Sequence, residues 1–269
     1  MRLLLILSII FTVAEVQAFQ EKAISSIEKP SNSIKAHKME TQKNSQITEQ
    51  YQQAMDQKIE KMKAKKSSWT PQEIQMMKDA SDNLAKALPN PGIQIGEKAP
   101  SFSLTNAQGE MTTLANTLKK GPVVLVFYRG AWCPYCNMQL RSLKQNLPEF
   151  KKYNAQLITI TPQTPDKSAE QFEKEGFPFE VLTDTDYQVM KDYKLYFEPP
   201  QNLVALYKKH GLDLEAFNGK DRTALPVPGT FVIDTQGVVR AMKAQTDYKI
   251  RMDSVDIIKA LSELEKTTN

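Results

Sequence analysis

From residue 95 onward the apolar positions alternate between short unbroken runs and stripes spaced three and four apart. The densest run, Val123 to Phe127, has the length and composition of one strand buried on both faces. Leu157–Thr161 repeats that pattern, and Val181–Leu182 reads as a shorter extended segment. Phe102–Leu104 and Met111–Leu114 flank an Asn106–Gly109 turn, while Thr230–Ile233 and Val238–Ala244 flank an Asp234–Gly237 turn and predict a hairpin. Helical spacing predicts helices from Pro134 to about Leu147, Lys167 to Glu175, Tyr187 to Tyr193 and Ser254 to Lys266. Pro199–Lys220 reads as an insertion carrying one helix around Leu203–His210. Helices interleaved with strands, closing on a hairpin and a helix, predict an α/β three-layer sandwich.

Upstream the pattern is thinner. Ile47, Tyr51, Met55, Ile59 and Met62 make one narrow helical stripe, too short to define a coiled coil. Thr70-Pro71-Gln72-Glu73 is a helix start, with a capping threonine, proline at the first helical position and glutamate at the third. Ile74, Met77, Leu84 and Leu88 share a face of that helix, which Pro89 ends, and Pro89-Asn90-Pro91-Gly92 is the clearest linker in the chain. The expected divisions are a signal peptide at 1–18, a polar tail at 19–66, a helix and linker at 67–94 and an α/β domain at 95–269. The signal reading rests on Arg2, the apolar run Leu3–Val13 and the small-x-small pattern Val16-Gln17-Ala18. That run is too short to span a bilayer, so the expected location is periplasmic or secreted, with no membrane span after cleavage. The Ser-, Lys- and Gln-rich residues 19–46 read as a flexible tether.

Composition is ordinary for a globular protein, at 41% hydrophobic and 25% charged residues. Charge becomes informative once divided. Residues 19–66 carry ten lysines against six acidic side chains, whereas residues 67–269 carry 24 of each sign. The formal +4 therefore lies in the tail, and no basic cluster of the kind nucleic-acid binding needs marks the domain.

The only two cysteines, Cys133 and Cys136, follow the Val123–Phe127 strand in the order C-P-Y-C, with Pro134 where a first helical residue would sit. A helix N-terminus, the nearby Arg129 and a second sulfur each favour a thiolate, and such settings bring a cysteine from ~8.5 down to between ~3.5 and ~7.5. A structural bridge closing so short a ring would stabilise little. A metal site would need further ligands, and His37 and His210 have no motif around them. The layout predicts redox chemistry without a bound cofactor or metal. A secreted binding module with incidental cysteines stays open beside it.

From about Ile95 to Lys266 the chain resembles the alkyl hydroperoxide reductase and thiol-specific antioxidant family, the peroxiredoxins. The resemblance is carried by Gly96-Glu97-Lys98-Ala99-Pro100-Ser101-Phe102-Ser103-Leu104, by Phe127–Cys136 with its W-C-P-Y-C core, by Phe179–Asp184 and by Leu225–Asp234. It implies a thioredoxin-like three-layer α/β/α sandwich with an N-terminal helical extension, a peroxide substrate and a thioredoxin-like protein reductant, and it admits a homo-oligomer. It also implies catalytic Cys133, Cys136 and Arg129, a Cys133–Cys136 disulfide in the cycle, and a groove lined by Trp132, Pro134, Tyr135, Val227 and Pro228, with Pro228 as the cis-proline of a thioredoxin fold. Two departures leave a choice open. Cys133 stands where the family's T-x-x-C threonine would be, and Pro228 where many members have a site arginine. One reading makes Cys136 the peroxide-attacking thiolate and Cys133 its resolving partner. The other makes Cys133 the attacking thiolate of a thiol–disulfide oxidoreductase acting on protein disulfides.

Overall fold

The computed structural model describes residues 69–268 and scattered helical positions between 42 and 60. The signal peptide, the tether and the Ile47–Met62 stripe lie outside the described residues. Every element below lies in the compact unit of residues 47–269. No helix among the described residues is long and apolar enough to cross a membrane.

The sheet has seven strands. Inside it lies β3 (Val123–Phe127), every residue of which is buried. On one side β3 pairs in parallel with β4 (Gln156–Thr161), which pairs in parallel with β5 (Glu180–Thr183). β1 (Ser103–Asn106) and β2 (Met111–Thr113) extend that side as an antiparallel edge. On the other side β8 (Gly229–Ile233) runs antiparallel to β3, and β9 (Val239–Ala244) closes the hairpin. Alternate β3 residues serve opposite cores. Val124 and Val126 pack with α3 (Pro134–Lys151) and α8 (Ser254–Thr268), while Val123, Leu125 and Phe127 pack toward α5 (Gln188–Asp192). Helices on both faces make the expected three-layer sandwich.

Three differences from the sequence reading have physical causes. Helix α3 continues past Leu147 to Lys151 with Pro148 inside it. Leu147 and Phe150 on either side are buried in the core, and their packing holds a last turn that a proline would otherwise break. The insertion also forms more structure than one helix. It holds α6 (Gln201–Lys209) and α7 (Glu215–Asn218), and β6 (Tyr196–Phe197) and β7 (Leu225–Pro226) pair on either side of it. Two-residue strands carry no periodicity to read.

The third difference concerns α1 (Pro71–Ala87). Both halves of its capping box form: the Glu73 amide donates to Thr70 Oγ1 at 3.3 Å and the Thr70 amide to Glu73 Oε2 at 2.8 Å. Its apolar face is only partly covered, however. Ile74 is 51% exposed, and the one buried residue in the helix is Glu73. Lys209 donates to Glu73 Oε1 at 2.7 Å, holding this carboxyl down at about 2, and His210 lies beside it, stacked on Trp69 at 4.1 Å. The contact of α1 with α6 thus depends on a polar latch as much as on apolar burial.

Candidate active site

β3 delivers the chain to Tyr128 and Arg129, and Gly130 at φ 140° turns it sharply. A β-carbon at Gly130 would come within 2.6 Å of Trp132 Nε1, so the turn requires glycine. Amide side chains pin the turn from below. Gln163 Oε1 accepts from the Ala131 amide at 2.7 Å, and Asn137 Nδ2 donates to the Ala131 carbonyl at 2.6 Å. Gln171 links the two, donating to Asn137 Oδ1 and accepting from Gln163 Nε2 and the Tyr128 hydroxyl.

Cys133 is the N-cap of α3 and Pro134 its first residue, as the spacing predicted. The Cys133 sulfur accepts from the Cys136 amide at 3.4 Å. Both thiols are free and buried, with Cys133 1% exposed and Cys136 not exposed at all. The sulfur of Cys136 also faces a cation that the sequence reading missed. Arg251 Nη2 donates to it at 3.4 Å, and the guanidinium is held there by Nη1 on Gln139 Oε1 at 3.1 Å and Nε on the Tyr248 carbonyl at 2.8 Å. Gln139 is in turn fixed by donating to Thr230 Oγ1.

These contacts separate the two thiols. Burial opposes ionisation of Cys136, but the hydrogen bond from the Cys133 thiol, the charge of Arg251, and the Arg129 amide and guanidinium outweigh it and bring the thiol down to about 5. Cys133 moves the other way, pushed well above its ordinary value by burial and by sharing its proton with Cys136. At neutral pH the pair is a Cys136 thiolate beside a protonated Cys133. The cysteine standing in the threonine place therefore acts as a hydrogen-bond donor there.

The remaining expected residues divide. Arg129 is buried, lies 4.8 Å from the Trp132 ring and 4.5 Å from the Tyr248 ring, and leaves Nε without a partner. Val227 and Pro228 line a cavity of about 410 Å³ that also reaches Arg129 and Tyr248. Trp132, Pro134 and Tyr135 are not part of that lining, and Tyr135 is turned into the core, edge-on to Tyr248 at 5.4 Å. The cis-proline expectation is corrected, because no cis peptide bond occurs among the described residues. Pro228 follows a residue whose amide donates to the Leu195 carbonyl at 2.7 Å, so the backbone is directed by the β6–β7 side of the fold. Among the described residues no group of three or more His, Cys, Asp or Glu side chains is arranged to hold a metal ion.

The one sequence clue to Arg251 is that Pro228 stands where many family members have a site arginine, which leaves Arg129 as the cation the motif itself supplies.

Comparison with known proteins agrees with this geometry. The family model described as the AhpC/TSA family matches residues 95–242. Peroxiredoxin Bcp of Escherichia coli strain K12 is 36% identical over 107 residues, which is 39% of this chain and 67% of that protein. Among solved structures, peroxidoxin BcpB from Mycobacterium tuberculosis superposes with a TM-score of 0.50 at 24% identity, covering 65% of this chain and 97% of that one. A mutant of peroxiredoxin 6 from Arenicola marina gives a TM-score of 0.52 at 17% identity, covering 66% and 76%. These superpositions show a shared fold, while the family match spans more than half of the sequence, and on that ground the chain belongs to the AhpC/TSA family of peroxiredoxins.

Proposed function

We propose that the protein is a thiol peroxidase in which Cys136 attacks the peroxide and Cys133 resolves the product. The observation that carries this reading is the split between the sulfurs, a Cys136 thiolate held by Arg251 and the Arg129 amide against a protonated Cys133. The Cys136 thiolate attacks the terminal oxygen of the peroxide, and the O–O bond breaks. Sulfur gives up two electrons and becomes a sulfenic acid, while the other oxygen leaves with a proton as water or alcohol. The two guanidiniums supply positive charge where that oxygen becomes an anion. The Cys133 sulfur then bonds to the sulfenic sulfur, and the hydroxyl departs with the Cys133 proton as water. An external dithiol of the thioredoxin kind reduces the resulting disulfide by two exchange steps.

Because Cys136 is fully buried, the reaction requires displacement of the side chains that cover it. Exchange with protein disulfides has less support. It needs Cys133 as an accessible thiolate, whereas this sulfur is buried and keeps its proton.

Stopped-flow mixing of the reduced protein with hydrogen peroxide tests the proposal. Cys133→Ser should still be oxidised and form a dimedone adduct on Cys136. Oxidation of Cys136 no faster than that of free cysteine would sink the peroxidase reading. Export, argued from the apolar run at residues 3–13, belongs to the same proposal and is checked by cell fractionation.

A further inference from the structure

Four hydrogen bonds beneath the cysteine turn close into a ring. The Ala131 amide donates to Gln163 Oε1 at 2.7 Å and Gln163 Nε2 to Gln171 Oε1 at 3.2 Å. Gln171 Nε2 then donates to Asn137 Oδ1 at 3.0 Å, and Asn137 Nδ2 returns to the Ala131 carbonyl at 2.6 Å. Both ends of the ring are backbone groups of one residue, so its direction is fixed. Each side chain must accept through its oxygen and donate through its nitrogen. Bonds running one way around such a chain polarise and strengthen one another. The three amides come from separate parts of the fold. Asn137 lies on α3, Gln163 follows β4, and Gln171 lies on α4 (Pro165–Glu175), where the buried Tyr128 hydroxyl also donates to it at 2.8 Å.

Cys133 sits between two members of this ring. Its amide donates to the carbonyl of Gly130, next to Ala131, at 3.0 Å, and its own carbonyl accepts from the Asn137 amide at 3.1 Å. The cation on Cys136 has its support elsewhere, since Arg251 is held by Gln139 and Gln139 by Thr230. The ring therefore serves the second sulfur more than the first.

We propose that Asn137, Gln163 and Gln171 are positioning residues for the resolving step: the ring holds Cys133 where it attacks the oxidised Cys136 in place, with the first turn of α3 intact. The chemistry of this proposal rests on the peroxidase reading. The Cys133 sulfur bonds to the sulfenic sulfur, and the hydroxyl leaves with the Cys133 proton as water. One step competes with it. The sulfenic sulfur attacks a second peroxide, the O–O bond breaks, and sulfur gives up two more electrons to become a sulfinic acid while water or alcohol departs. Misplacing an attacking group by about 1 Å costs about a hundredfold in rate. The ring thus decides which of the two steps wins.

Three measurements on the full chain test this. Asn137→Ala cuts the ring at a partly exposed member without adding charge, and Gln171→Met cuts it at a buried member while keeping the volume. Asn146→Ala is the control, because that amide bonds only to the Ser142 carbonyl within α3. After mixing with hydrogen peroxide, the ring variants should form sulfenic acid at close to the wild-type rate. Their disulfide-forming phase should slow by ~10–100-fold, and sulfinic acid should accumulate at peroxide concentrations lower by the same factor. The second measurement needs no peroxide. Methyl methanethiosulfonate places a methylthio group on Cys136, Cys133 then displaces methanethiol, and mass spectrometry should show that displacement slowed by the same factor. Third, hydrogen exchange across residues 133–140 of the wild type should be as slow in the disulfide form as in the reduced form. Unchanged displacement in both correctly folded ring variants, equal slowing in Asn146→Ala, or exchange protection lost on disulfide formation overturns the proposal. Slowed displacement while no peroxide oxidises Cys136 would leave the ring's role standing and remove the peroxidase reading.

Discussion

The two sides of the site are built on opposite terms. The sulfur side rises from a strand without an exposed residue, and Arg251 beside Cys136 is held by the buried Gln139, which is itself fixed on the buried Thr230. The α1 side is a helix with one buried residue, an exposed isoleucine and a carboxylate latch. Rigid support on one side fixes a charge, which requires positions good to a fraction of an ångström. Looser support on the other side leaves α1 held by the Glu73–Lys209 contact and a partly covered apolar face. The two cysteines and Arg129 lie within the family match at 95–242, whereas α1 and Arg251 lie outside it.

The most direct way to break the sulfur side is Cys136→Ser, which should reduce peroxide turnover by ~10⁴-fold or more, as loss of a nucleophile does elsewhere. Arg251→Gln should come next, slowing sulfenic acid formation at pH 7 by ~10²-fold. Its signature is in the pH profile. The wild-type oxidation rate should rise with pH through about 5 and level off above it. Arg251→Gln should shift that rise upward, so that alkaline pH recovers the rate, and Arg251→Lys should recover part of it at neutral pH. The same depressed thiol makes a stability prediction. A folded value below the unfolded one stabilises the protein fully above the ordinary cysteine range and loses that contribution as pH falls through about 5. Cys136→Ser should therefore flatten this part of the denaturation profile.

Packing provides the next step in the comparison. Leu125→Ala, in the fully buried strand, should cost ~2–5 kcal/mol by denaturant unfolding. Thr70→Ala on the α1 side should cost only ~1 kcal/mol through loss of the cap. Hydrogen exchange should show that loss confined to α1, and equal losses from the two substitutions would contradict the division.

What could be read from the chain beforehand followed the same line. Val123–Phe127 and the Pro134 helix start were legible because a buried strand and a proline at a helix N-terminus are local facts. The T-x-x-C register places Cys136 in the peroxidatic position and the thioredoxin register makes Cys133 the attacking thiol; of the two, the Cys136 thiol is the one brought down, to about 5. Arg251 was not legible, since it reaches Cys136 from 115 residues away and lies in a loop without a motif. The partial cover of α1 was hidden for a related reason. Spacing of Ile74, Met77, Leu84 and Leu88 defines a stripe but not what lies against it, and Ile74 turns out to face solvent. Pro228 in a V-P-G-T segment carries no local sign that distinguishes its two peptide isomers.

Gly130 sets a constraint of another kind. Its φ of 140° and the 2.6 Å gap to Trp132 mean that even alanine would push the indole away from Arg129. In a saturation scan this position should accept glycine alone, although it carries no side chain and contributes nothing to the chemistry. Anyone transplanting the C-P-Y-C pair to another scaffold would need to carry that missing side chain along with the two sulfurs.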